Sequence, residues 1–119
     1  MSQKSSPGVR LLQESDVSYE QTAPGLDIAR SITAAGFTEL GGGWVKMDGS
    51  GELAGWTLKY DEVLYCLSGE LEIVRDGTST VAQPGQAILI GEGTTVTYRA
   101  KPDTRVFFVL YPGDWAQRG

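Results

Sequence analysis

The sequence predicts one all-β domain folded as a double-sheet sandwich or barrel. Three observations carry that prediction. Hydrophobic runs of about five residues recur along most of the chain. Gly, Pro and Asp-Gly turn signals separate them, and the 16 glycines sit between the runs as turns and bulges rather than in a linker. No long segment carries a 3.6-residue period, so helix is expected to be scarce. A chain of 119 residues holds one core and is too short for two ordinary domains.

The elements follow in order. Residues 1–8 are polar and carry Ser5-Ser6-Pro7-Gly8, which reads as a frayed or partner-docked tail. Residues 9–12 are apolar, and Gln13 to Asp16 reads as a turn or one helical turn. Residues 17–20 read as a short strand, and Ala23-Pro24-Gly25 as a turn. Residues 26–32 alternate apolar and polar side chains, the pattern of a half-buried strand; 33–36 is open between states. Within 37–47, Gly41-Gly42-Gly43 suggests either a close backbone approach in a strand or a loop. Asp48 to Gly51 is a turn. Strands are then expected over 52–59, 62–67, 70–75, 78–82, 86–90, 94–99 and 105–110. Asp76-Gly77 fits a two-residue type I′ hairpin turn, which demands positive φ.

Composition narrows the function classes. A net charge of −5 lacks the basic stripe of a general nucleic-acid binder. No apolar stretch approaches the roughly 20 residues of a membrane span. The first seven residues are not followed by an apolar segment, so no secretory signal is read. The single cysteine, Cys66, permits no internal disulfide. A cytoplasmic protein is the expectation. The chain has no histidine, which rules out Ser-His-Asp and Cys-His triads. Gly41-Gly42-Gly43 is not followed by Lys-Ser/Thr and a helix, so no Walker-type phosphate loop is present. Lys46, Lys59 and Arg99 remain as candidate phosphate contacts.

Two spacings stand out between Trp56 and Gly93. Glu62 is followed seven residues later by Gly69. Pro84-Gly85, a five-residue run and Gly91-x-Gly93 come after. These resemble the two motifs of the cupin superfamily, which implies an RmlC-like double-stranded β-helix, or jelly-roll barrel, with its core motifs over 40–112. Metal-binding cupins place two histidines before the Glu and a third in the second motif. Aligned here, those places fall at Trp56, Leu58 and Val96. Trp56-Thr57-Leu58-x-Tyr60-Asp61-Glu62 and the closing Tyr111-Pro112-x-Asp114-Trp115 further resemble the cupin domain of the ethanolamine-utilisation EutQ family. That resemblance implies a cupin without the histidine metal site, a homodimer, and a link to ethanolamine and acetate metabolism in bacterial microcompartments. It also implies an acetate kinase activity, although full EutQ proteins carry a further region where this chain has residues 1–40.

Only Glu62 survives of the four metal-ligand places. A lone carboxylate does not close a metal's first shell, and Asp61, Tyr65, Cys66 and Tyr98 have no recognisable ligand spacing with it. No metal and no cofactor are expected. Trp56, Leu58 and Val96 read as side chains filling the barrel. Strand parity puts Glu62, Leu64 and Cys66 on one face, and Val96 and Tyr98 on one face of another strand. Asp61 is expected to face solvent or bind a turn backbone. The candidate ligand pocket is therefore Trp56, Leu58, Glu62, Cys66, Val96 and Tyr98, with Glu62 as candidate acid or base. Three environments are open to Glu62: a cation such as Lys46, Lys59 or Arg99; a hydrogen bond from Tyr98, Trp56 or water; or a raised pKa. The function read is a metal-independent EutQ-like cupin that binds or acts on a small polar metabolite. The alternatives are a non-catalytic microcompartment assembly protein and a metalloenzyme with an atypical site on Glu62. The homodimer is expected to use the apolar pieces at 9–12 and 17–19.

Overall fold

The chain's computed structural model describes residues 8–118, so the tail expected at 1–8 lies outside the described residues except for Gly8. Ten strands and one short helix follow: β1 (Glu20–Ala23), β2 (Leu26–Ala29), α1 (Ser31–Ala35), β3 (Gly41–Met47), β4 (Leu53–Thr57), β5 (Asp61–Ser68), β6 (Leu71–Arg75), β7 (Thr78–Ala82), β8 (Ala87–Ile90), β9 (Thr95–Ala100) and β10 (Thr104–Tyr111). All pairings are antiparallel. One sheet has six strands in the order β1-β2-β3-β10-β5-β8, and the other has four in the order β4-β9-β6-β7. Two sheets with this order close on a shared core as a cupin jelly roll. No helix among the described residues is long and apolar enough to cross a membrane.

Alternation builds the core. On β5, Glu62, Leu64 and Cys66 point inward while Asp61, Val63 and Tyr65 point out. Cross-strand register extends each choice over the sheet: Leu64 stands beside Phe108 and Ile88, and Cys66 beside Val106. The opposing sheet contributes Leu71, Ile73, Ala82, Val96 and Tyr98. The Asp76-Gly77 hairpin has both residues at positive φ, 50° and 76°, as a type I′ turn requires.

Two expectations need correction, and one open reading is decided. Strand 26–32 stops at Ala29, and 31–35 is helical. The alternation runs on to Ile32, but Gly36 at φ 62° ends a helical turn, its N–H on the Thr33 carbonyl. The Thr33 hydroxyl then accepts the Gly42 N–H at 2.9 Å, which ties the helix to β3. The first strand is Glu20–Ala23 rather than 17–20, because the Pro24-Gly25 hairpin sets its register, pairing Glu20 with Ile28. Tyr19 instead donates to Glu14 at 3.1 Å and lies under the Lys46 ammonium. Last, Gly41-Gly42-Gly43 is no loop. It lies buried within β3, where the neighbouring backbone comes too close for any Cβ. β1 and β2 also widen the larger sheet beyond the 40–112 span.

Candidate functional site

Two polar side chains are buried among the described residues, and they differ in how well they are satisfied. The Thr104 hydroxyl accepts the Glu70 N–H at 3.0 Å and donates to the Lys101 carbonyl at 2.8 Å. Glu62, only 6% exposed, receives one donor: the Tyr98 hydroxyl, 2.8 Å from its Oε1. β5 places Glu62 between Leu110 of β10 and Ile90 of β8, and β9 of the opposite sheet places Tyr98. This hydrogen bond therefore crosses the barrel from one sheet to the other.

A cavity of about 450 Å³ opens at this bond, a size suited to a small ligand. Glu62, Tyr98, Tyr60, Trp56 and Trp115 line it, with Arg30. The Trp56 indole N–H donates to the Tyr60 hydroxyl at 2.8 Å. The Tyr60 hydroxyl in turn neighbours that of Tyr98. An indole only donates, and an ionised carboxylate only accepts. With Glu62 ionised, Tyr98 spends its one proton on Glu62, and its oxygen is free to accept from the neighbouring Tyr60 hydroxyl. Trp115 packs edge-on against Trp56, with ring centroids 5.8 Å apart, and 5.0 Å from Tyr60.

Burial dominates the electrostatics. It pushes Glu62 up to about 7, against the partial relief of the Tyr98 hydrogen bond. Burial also raises Tyr60 to about 12, the Glu62 charge adding to the effect. Tyr98 moves upward for the same reasons. Near neutral pH, Glu62 is thus divided between carboxylate and acid, the state in which one group both takes and gives a proton.

Of the six side chains expected at the pocket, Trp56, Glu62 and Tyr98 come together on the cavity wall. Leu58, Cys66 and Val96 do not. They sit in the core, all but inaccessible, and line no part of the cavity. The Cys66 thiol donates to the Ser68 carbonyl at 3.4 Å and burial raises its pKa, the opposite of what a nucleophile needs. Asp61 is exposed and accepts the Glu92 N–H at 2.9 Å, a turn-backbone contact as expected. Two of the three suggested cations are held elsewhere: Arg99 bonds Glu52 at 2.7 Å, and Lys46 lies 4.2 Å over the Tyr19 ring. Lys59 does not line the cavity. Sequence reasoning missed Tyr60, Arg30 and Trp115. Parity alone places Tyr60, two residues before Glu62, on the inward side.

The donor set does not fit the metal that many cupins hold. The three histidine places carry an indole and two aliphatic side chains. No group of three His, Cys, Asp or Glu side chains converges among the described residues.

A model of the family described as ethanolamine utilisation protein EutQ matches residues 17–117. The chain is 38% identical over 63 residues to the acetate kinase EutQ of Clostridioides difficile strain 630; the match covers 53% of this chain and 40% of that protein. It is 32% identical over 60 residues to the acetate kinase EutQ of Salmonella typhimurium LT2, covering 50% and 26%. The chain thus spans less than half the length of these curated relatives. Its fold superposes on the crystal structure of an ethanolamine utilization protein Q from S. typhimurium LT2 with a TM-score of 0.79, at 23% identity over 95% of this chain and 94% of that one. The C. difficile EutQ structure gives 0.71 at 29% identity, covering 92% and 80%. An RmlC-like cupin from Shewanella frigidimarina gives 0.69 at 15% identity over 88% and 92%, a likeness of fold alone.

Proposed function

The chain belongs to the ethanolamine utilisation protein EutQ family, and from that premise we propose that it is a metal-independent cupin of the bacterial cytoplasm whose barrel binds or acts on a small polar metabolite at Glu62. One observation carries the reading. A carboxylate is held inside an aromatic-walled cavity with a single hydrogen-bond donor and a pKa raised to about 7. Such a group destabilises the fold when ionised, and perturbed carboxylates in clefts mark functional sites. Glu62 is the acid or base, Tyr98 orients it, and Trp56 and Tyr60 form the wall. The lack of converging metal-ligand side chains among the described residues supports chemistry without a metal.

The relatives' name makes acetate phosphorylation by ATP the activity to assay first. Its phosphate site would need another source than Gly41 to Gly43, whose backbone is enclosed within β3. The broader test is a thermal-shift screen of small acids, amines and nucleotides. A true ligand raises Tm progressively with its concentration, and Glu62→Gln sharply reduces the shift at each concentration. If that variant answered every hit as the native protein does, the site would be misassigned.

The same family supports a homodimer. The outer face of the six-stranded sheet carries Leu89, Val63 and Tyr65, exposed at 76%, 39% and 41%. Leu89 pairs with Val63, and Tyr65 pairs with Phe107, which packs against Trp44. A second copy covering this row would remove a row of exposed apolar side chains from water. Val9 and Leu11, both exposed, remain available to cross onto it. The expected result is a dimer by light scattering at micromolar concentration, which Leu89→Lys weakens at least roughly tenfold. A native monomer under those conditions would sink this reading. A non-catalytic assembly partner, the alternative reading, draws on the same row and gains ground if the screen yields no ligand.

A further inference from the structure

We propose that the cavity selects a small dipolar metabolite, a primary aliphatic ammonium compound that seats its amine on Glu62 and an anionic group, carboxylate or phosphate, on Arg30. This rests on the reading above that the cavity is the ligand site.

The inner end is defined by what is already spent. Oε1 of Glu62 holds the Tyr98 proton, and Oε2 has no hydrogen-bond donor among the described residues. The Tyr98 proton is committed to Glu62 and the Trp56 N–H to Tyr60. A group seated against Oε2 must therefore bring its own donor. A neutral hydroxyl satisfies the lone pair but leaves the charge uncompensated in an apolar wall. An ammonium supplies both donors and charge. The rings of Trp56, Tyr60, Phe108 and Trp115 line the same space, and aromatic faces favour a cation over an anion.

The outer end is defined by Arg30. Arg30 is exposed and belongs to the cavity's lining, and its side chain has no hydrogen bond or ion pair among the described residues. Tyr60 lies within electrostatic reach of both groups, feeling the Glu62 charge and the Arg30 charge with opposite sign. One cavity thus has a buried carboxylate and an exposed arginine among its lining residues, with Tyr60 sensing both charges. A simple anion would gain Arg30 but meet the like charge of Glu62. A simple amine would gain Glu62 and leave Arg30 unused. A ligand carrying both charges complements both.

Titration calorimetry at pH 7 tests this with 3-aminopropanoate, propylamine and propanoate as probes. 3-Aminopropanoate is expected to bind most tightly, propylamine roughly tenfold more weakly, and propanoate not measurably. Arg30→Gln should bring 3-aminopropanoate down to the level of propylamine and leave propylamine unchanged. Glu62→Gln should weaken both roughly 10- to 100-fold. Binding to the native protein should also release protons, seen as a buffer-dependent enthalpy, because the ammonium drives Glu62 to its ionised form. Propanoate binding more tightly than propylamine would overturn the proposal. So would equal binding of 3-aminopropanoate to native protein and Arg30→Gln. If none of the three binds while other ligands still depend on Glu62, the dipolar class falls and the cavity reading stands. If ligands bind regardless of Glu62, the cavity reading itself falls.

Discussion

Gly43→Ala is expected to lower Tm by about 10 to 20 °C, a loss of roughly 3–5 kcal/mol. Gly43 lies in β3 between β2 and β10, at φ 152°. A Cβ there would stand 1.9 Å from the Ala29 carbonyl oxygen and 2.8 Å from the Ser31 nitrogen. Both are backbone atoms of β2 and the turn into α1, so no rotamer change relieves the contact. The strands must part, and that loosens the Ala29 to Trp44 pairing as well. Gly91→Ala is the control. No atom lies within 4 Å of its Cβ, and its backbone needs no positive φ, so the change stays within about 0.5 kcal/mol. Thermal unfolding of both variants checks this. Equal behaviour of the two would show that β3 has room the geometry denies.

That contrast shows what was legible in the chain and what was not. Spacing singled out Gly91 as a motif residue and left Gly41 to Gly43 open between loop and strand. A glycine's role depends on the atoms across from it, and those belong to residues 29–31 and 108–109, distant in sequence. The strands from residue 53 onward were legible because their parity and their turns agree. Asp76-Gly77 fixes the β6–β7 hairpin, Pro84-Gly85 turns the chain from one sheet into the other, and the alternation along β5, β9 and β10 allows only one inward face. α1 was not legible. Five residues of Ser31-Ile32-Thr33-Ala34-Ala35 carry too little period to separate a helical turn from a continued strand.

For the site, parity found Glu62 and Tyr98 on inward faces but could not say that they meet. They are 36 residues apart and lie in different sheets. Alignment to the histidine places put Leu58 and Val96 at the pocket, whereas both pack in the core. Two residues beyond each of them stand Tyr60 and Tyr98, and these line the cavity. Arg30 arrives from outside the motif span, at the β2 end, and Trp115, although it ends the closing family motif, reaches Trp56 and Tyr60 only through the fold. No spacing rule within the barrel motifs reaches them.

Glu62→Gln is expected to make the protein more stable at pH 8 and to weaken ligand binding roughly 10- to 100-fold. The folded pKa of Glu62 is about 7, above its ordinary value of 4.5, because burial disfavours the carboxylate. Between those two values the folded protein holds a proton that the unfolded chain has released. Stability from this group is therefore complete below about pH 4.5 and is lost as pH rises through about 7. The difference corresponds to about 3 kcal/mol at pH 8. The substituted glutamine carries no charge to desolvate and still accepts the Tyr98 hydroxyl, so the variant escapes that loss. An amide N–H left without an acceptor costs about 1 kcal/mol, but equally at every pH. Glu14 and Asp48, both held below their ordinary values by their hydrogen-bond partners, tilt native and variant curves alike. The quantity to measure is thus the difference between variant and native unfolding free energies from pH 4 to 8, by urea titration. It should grow by about 3 kcal/mol in favour of the variant across that interval. A flat difference would mean that Glu62 is hydrated and ordinary. A rising difference together with weakened binding would mean that the fold carries an unfavourable buried carboxylate because the ligand needs it.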